Sequence, residues 1–565
     1  MFLFNPQAPD PGNLDEPSLR ILQRTIRFFE DKGKTRIKED DRKHVWYADF
    51  LEFVKQEQVF ATFLTPARHG AGPQRWDTYR NARLNEVLGF YGLAYWYPWQ
   101  VSILGLGPVW MSQNETVQRR AAELLRGGAV FAFGLSERDH GADVYSTEMA
   151  LTPQPDGTWL ASGSKYYIGN GNEAPLVSTL GKFRDTGEFV FFAAGFGHER
   201  YELVKNVVAS QNYVAEFALH DYPVGEDDII ARGDRAWDAA MNTVNIGKYN
   251  LGWASIGMCT HAFYEAIDHA SGRILYGNPV TRFPHVRNLF VDAYARLVAM
   301  RLFALRAADY MRVASAEDRR YLLYNAVVKM KVTTEGEQVI NQLWDVIAAK
   351  GFEKDTFFEM AARDIRALPK LEGTVHVNIA LITKFMSNYF FKPAPYAEVP
   401  RQDQAADDAF LFSQGPARRL GKVRFHDYRP AFAFRPLPNV KTFARQAAVF
   451  KQMLALARPG KDQRQDVDFL LAIGQLFTQV VYGQLVLENA VIYGIDDDTV
   501  DQIFAFMVRD FSAFALQLRD KPSATRRQRW FCGRMMKRPA MDADRFDRVW
   551  TDRVEALRGV YAMND

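Results

Sequence analysis

The run TWLASGSKYYIGN, Thr158–Asn170, is short, aromatic and β-branched, and the pair Asp156-Gly157 stands just before it. Asp-Gly ahead of such a run predicts a hairpin turn opening a strand. FVFFAAGF, Phe189–Phe196, and YVAEFALHDYPVG, Tyr213–Gly225, have the same character. Strands are therefore expected from Val130 to about Ile230. On both sides the apolar residues recur every three or four positions, as in ADFLEFVKQEQVFATFL, Ala48–Leu64, and VDAYARLVAMRLFALRAADYM, Val291–Met311, which is the period of amphipathic helices. The expected fold class is mainly α with a central β domain.

The boundaries follow. An N-terminal helical domain is expected over 1–129, a β-barrel-like middle domain over 130–232 and a helical bundle over 233–392. FKPAPYAEVPRQDQAADDAF, Phe391–Phe410, holds three prolines among small polar residues, so 393–430 reads as a linker or surface excursion. A helical extension, 431–565, closes the chain. The most apolar long segment, Asp468–Ile495, carries Gln475, Gln479, Gln484, Glu488 and Asn489. Lipid would make these costly, so a buried bundle helix is expected rather than a membrane span.

The chain has 565 residues, 48% of them hydrophobic, which is ample for large cores. Its 70 basic and 67 acidic residues nearly cancel, leaving a formal charge of +3, so no overall field recruits nucleic acid or an anionic membrane. Cys259 and Cys532 are the only cysteines. Two distant thiols exclude a disulfide framework and a Cys-based metal site, and no metal is expected. The start MFLFNPQAPDPGNLDEP lacks the pattern of a signal or transit peptide, and the expected location is cytoplasmic.

LPKLEGTVHVN, Leu368–Asn378, places a lone carboxylate, Glu372, before Gly373 and Thr374, on a break between two helical segments. A single carboxylate can act as a general base when something else accepts the electrons left behind. His140 and His376 are expected to be ordinary loop histidines.

Helical, β, helical, with that carboxylate in the third zone, resembles the plan of the acyl-CoA dehydrogenases. FGLSERDHGADV, Phe133–Val144, is similar to the family's T-E-P-x-A-G-S-D segment at Ser136, Glu137, Gly141 and Asp143. GSKYYIGNGNEA, Gly163–Ala174, resembles G-x-K-x-W-I-T-N-G, with Lys165, Ile168, Asn170 and Gly171 kept. RILYGNPV, Arg273–Val280, resembles R-x-x-F-G-x-P-I, and FEMAARDIRALPKLEGTVHVN follows R-D-x-R-x-x-x-x-Y-E-G-T. DVIAAKGF, Asp345–Phe352, keeps only Gly351 of Q-x-x-G-G-x-G. The resemblance runs from about Phe50 to Asn378.

It implies FAD as cofactor, contacted by Phe133, Leu135, Ser136, Gly141, Ala142, Tyr167, Ile168, Gly169, Tyr276 and Thr374. Arg273 would reach the flavin pyrophosphate of a neighbouring subunit. Ala142 and Gly169 lack the hydroxyls that the family places there. Lys248 aligns with the family's substrate-contacting arginine, and Gly373 would leave room for substrate. Glu372 matches the catalytic base. The implied reaction is α,β-dehydrogenation of an acyl-CoA or acyl-carrier thioester, with α-proton loss to Glu372 and hydride transfer to flavin N5. The implied partners are an electron-transfer flavoprotein or similar acceptor and further copies of the chain, as homodimer or homotetramer. An acyl-CoA oxidase or flavin monooxygenase on the same scaffold, or a nucleic-acid-associated flavoprotein, are the alternatives. The C-terminal zone is similar to the extensions of very-long-chain dehydrogenases and acyl-CoA oxidases. Within it, KPSATRRQRWFCGRMMKRP, Lys521–Pro539, reads as a solvated basic loop, which leaves a peripheral membrane contact open while nucleic acid is not expected as a partner.

Overall fold

The structure is a computed structural model that describes residues 2–418 and 420–565. It divides into two compact units. One comprises 251–402 with 2–10 and 420–562; the other comprises 11–250 with 403–418 and 563–565.

In the second unit, helices with clear end signals come first. The helix Glu16–Lys32 begins where the Asp15 carboxylate accepts the Ser18 N–H at 2.9 Å and ends at Gly33, φ 75°. Helix Leu93–Met111 is apolar on every side and buried almost throughout, so it is a core helix. The sheet packs on it closely, because a Cβ on Gly105 would lie 2.7 Å from the Ala132 carbonyl oxygen. Eight strands form one sheet: β1 Phe131–Gly134, β2 Ala150–Pro153, β3 Trp159–Gly169, β4 Leu176–Phe183, β5 Phe189–Ala194, β6 Tyr201–Asn206, β7 Val214–Val224 and β8 Ile229–Arg232. Their order is β6-β7-β3-β2-β4-β5-β8, with β1 parallel to β4. The Asp156-Gly157 turn joins β2 to β3, with Gly157 at φ 85°. The chain is thus mainly α around a central sheet, as its periodicity predicts. Residues 403–418 belong to this unit, tied down where Asp407 accepts the Trp76 N–H (2.9 Å) and Asp408 the Thr78 N–H (2.6 Å).

The first unit is helical. One of its helices, Val467–Ile492, is long and apolar enough to cross a membrane, yet 83% of its most apolar stretch is buried within the protein. Its polar side chains account for this. Glu488 accepts from Arg306 Nε at 2.9 Å and from Tyr310 Oη at 2.9 Å, and pairs with His426 Nε2 at 2.9 Å. The Asn489 amide donates to the Leu302 carbonyl at 2.8 Å. A second buried cluster centres on Arg296, bonded to Glu335 (2.6 Å), Asp510 (2.9 Å) and Asp292 (3.0 Å), with Lys331 also paired to Glu335.

Burial alone raises a carboxyl pKa, but at Glu335 the charges of Lys331 and Arg296 outweigh it and hold the group at about 2. At Glu488 burial is likewise overcome, by the His426 hydrogen bond and the Arg306 charge, again to about 2. Both values lie below that of the carboxyl in the unfolded chain. The stability they contribute is therefore complete above about pH 5 and lost as the pH falls toward 2, each tenfold difference in acidity between folded and unfolded chain being worth roughly 1.4 kcal/mol. Denaturant titrations across that range should show falling stability in the wild type and a flatter curve for Glu488→Gln. A parallel curve would exclude Glu488 as a source.

Candidate functional site

The residues singled out by sequence fall into two groups, one in each unit. In the second unit, β1 runs into the segment 135–149, which β3 holds. Ser136 Oγ donates to the Tyr166 carbonyl at 2.8 Å, and the Tyr166 N–H donates to the Ser136 carbonyl at 3.0 Å. Beneath them lies Lys165, 0% exposed, whose Nζ donates to Glu137 (2.8 Å), Thr147 (3.0 Å) and the Leu135 carbonyl (3.2 Å). Glu137 also accepts the Glu148 and Met149 N–H groups. Burial draws Lys165 down to about 8 despite Glu137, whose own pKa is held low by Lys165 against burial. This network fixes the segment's course.

Next to the held pair, β3 and β7 slip register between Tyr166 and Ile168, which leaves Tyr167 as the bulged residue at φ 68°. Tyr167 is 44% exposed, while Ile168 and Gly169 are buried. Ser136 and Leu135 are half-buried, Phe133 is buried, and Gly141 and Ala142 are exposed with open space above Gly141. Gly169 has no such space: a Cβ there would lie 2.6 Å from Tyr97 Cε1 and 2.7 Å from Val101 Cγ2. Tyr97, on helix Leu93–Met111, thus occupies the place of a hydroxyl side chain on the strand. Only tertiary packing reveals that residue.

Lys248 is 4% exposed, on helix Asp234–Gly272. Around it the Gln100 amide donates to the Gly247 carbonyl (3.0 Å) and accepts from Asn250 (2.9 Å), within a buried amide ladder.

In the first unit, Arg273 leads into a two-stranded hairpin, Ile274–Leu275 with Asn278–Pro279. Its turn residues Tyr276 and Gly277 are both at positive φ, 51° and 76°, the geometry of a two-residue hairpin. Tyr276 is 94% exposed. Glu372 sits at φ 52° and Gly373 at φ 89°, after a turn and before helix Val375–Thr383. Thr374 caps that helix through its hydroxyl, accepting the Val377 N–H. The Asn378 amide donates to the carbonyls of Gly373 and Thr374, both at 3.0 Å. Glu372 is half-buried.

A non-glycine residue at positive φ carries strain that persists only where its surroundings over-determine it. Tyr167, Tyr276, Ala348 and Glu372 are all such residues, and each lies in a different motif. His376 is exposed, and His140 lies 3.6 Å from Glu148.

The basic stretch is not a loop. Thr525 and Gln528 form a capping box, and Arg526–Met535 is helical. Its exposed face carries Arg526, Arg527, Arg529, Arg534 and Trp530, the last 57% exposed. Among the described residues there is no cluster of three or more His, Cys, Asp or Glu that could hold a metal ion.

This fold is that of the acyl-CoA dehydrogenases. Residues 234–387 match the family model described as acyl-CoA dehydrogenase, C-terminal domain. The short-chain specific acyl-CoA dehydrogenase of Megasphaera elsdenii is 21% identical over 378 residues, covering 65% of this chain and 97% of that protein. The human mitochondrial very long-chain specific acyl-CoA dehydrogenase is 24% identical over 394 residues, and there the match spans 57% of the relative's length. In three dimensions the chain is similar to the acyl-CoA dehydrogenase of Bacillus anthracis crystallised with FAD, with a TM-score of 0.74 at 15% identity, over 99% of this chain and 97% of that one.

Proposed function

We propose that the chain is an FAD-dependent dehydrogenase that converts an acyl-CoA or acyl-carrier thioester to its 2-enoyl thioester, with Glu372 as the base. The observation that carries this reading is Glu372 itself: an acid held at φ 52°, half-buried, at a break between helices.

The second unit offers residues that fit a flavin. Exposed Tyr167 stands on a bulge beside the Ser136 segment, with open space over Gly141 and exposed backbone through Ala142. A flat ring can lie on Tyr167, and the network around Lys165 keeps the segment in place. Bound there, the flavin supplies the hydride acceptor. The chain's own work is to orient the thioester and to take its α-proton on a Glu372 carboxylate oxygen.

Arg273 and the protruding Tyr276 hairpin support an assembly of at least two copies, in which this hairpin meets a neighbour. Electrons then leave to an electron-transfer flavoprotein or similar acceptor.

The test is anaerobic. Protein reconstituted with FAD should show a bound-flavin spectrum that bleaches on adding one member of an acyl-thioester panel. Protein that takes up no FAD, or holds FAD that no thioester bleaches, would refute the reading.

A further inference from the structure

Helix Tyr321–Val327 and helix Thr333–Ile347 are joined by a wide π turn, Val328–Val332, with sequence VKMKV. A π turn inserts an extra residue into a helix and is frequent at functional sites. This one buries two lysines two positions apart. Lys331 has its charge partner in Glu335. Lys329 is 0% exposed, and its Nζ donates at 2.6 Å to the carbonyl of Pro369, three residues before Glu372.

A buried ammonium has a high desolvation cost, and a methyl-ended side chain would fill the same space more cheaply. One thing the ammonium adds is a charged hydrogen bond to the Pro369 carbonyl. That carbonyl starts the stretch in which Glu372 and Gly373 are both at positive φ. Downstream the stretch is held by the Asn378 amide on the Gly373 and Thr374 carbonyls. A strained acid needs both ends fixed to keep one position.

We infer that Lys329 is a positioning residue for Glu372, clamping the upstream end of the loop through the Pro369 carbonyl. The inference rests on Glu372 being the base. Lys329 touches neither substrate nor cofactor in this account. It acts through backbone position.

Two readouts separate this from a plain packing role. Amide hydrogen exchange needs no reaction: in Lys329→Met, exchange over 366–374 should rise at least tenfold, with helix Val467–Ile492 as protected as in wild type. The second is the rate of anaerobic flavin reduction at saturating thioester, set against the thioester concentration that gives half that rate. With the loop unclamped, the rate should fall at least tenfold in Lys329→Met at an unchanged half-saturating concentration. It should stay near the wild-type value in Lys329→Arg, which keeps the hydrogen bond. Asn378→Leu frees the other end of the loop, so it should raise exchange and slow reduction in the same way.

Unchanged exchange over 366–374 in a folded Lys329→Met overturns the clamp. If Lys329→Met loosens the whole unit, the decision passes to Lys329→Arg, and a rate that falls there as far as in Asn378→Leu overturns the clamp. A wild type whose bound flavin none of the thioesters bleaches refutes the proposed function, while the exchange result still decides the clamp.

Discussion

Glu372→Gln should retain FAD and bind acyl thioester as the wild type does, yet reduce the flavin more slowly by at least the factor on the order of 10² to 10⁴ typical of general-base catalysis. The amide keeps the shape of the acid and one hydrogen-bonding oxygen but cannot accept a proton. Loss of the α-proton is obligatory, so no alternative route restores the rate. Glutamine matches glutamate in size, and Glu372 is not among the residues assigned to the flavin, so flavin content measured by absorbance should not change. The Asn378 side-chain amide donates to the Gly373 carbonyl and does not involve the Glu372 side chain, and glutamine adopts φ 52° no less readily than glutamate. Single-turnover flavin bleaching within about tenfold of wild type, below the general-base range, would place the base elsewhere.

The fold is legible in the sequence because it rests on periodicity. The change from three-and-four spacing to short aromatic runs after Val130, and back after Ile230, needs no tertiary information. Asp156-Gly157 dictates its own turn. The buried fate of helix Val467–Ile492 is also local, since Glu488 and Asn489 demand partners wherever the helix lies. The candidate site divides differently. Glu372 and Tyr167 stand out by motif, and backbone strain at both is a second, independent sign that only coordinates give. Gly169 shows the limit: nothing in the strand tells that Tyr97, on a distant helix, fills the space beside it. The bond from Lys329 to Pro369 is invisible for the same reason, because it ends on a carbonyl. A carbonyl is the same in every residue, so sequence carries no mark of which one a lysine will meet. The helix Arg526–Met535 escapes any reading that weights charge over the Thr525/Gln528 capping box that starts it.

Arg296→Met should lower the unfolding free energy of the first unit by about 3–5 kcal/mol, the range for breaking a buried ion pair from one side. Three carboxylates converge on this guanidinium: Asp292, Glu335 and Asp510. Two other cations stand in the cluster, Lys331 on Glu335 and Arg509 on Asp292. Without Arg296 the acids outnumber the bases, and one of those acids, Glu335, has a side chain only 2% exposed. That arithmetic gives a sharper test than the single variant. In Arg296→Met with Glu335→Gln, two carboxylates face two cations again, and Lys331 still has Asp510 at 3.9 Å. The double variant should therefore be more stable than Arg296→Met alone, by denaturant titration of both. A double variant that is less stable than the single one would show that packing, not charge balance, sets the value of this cluster.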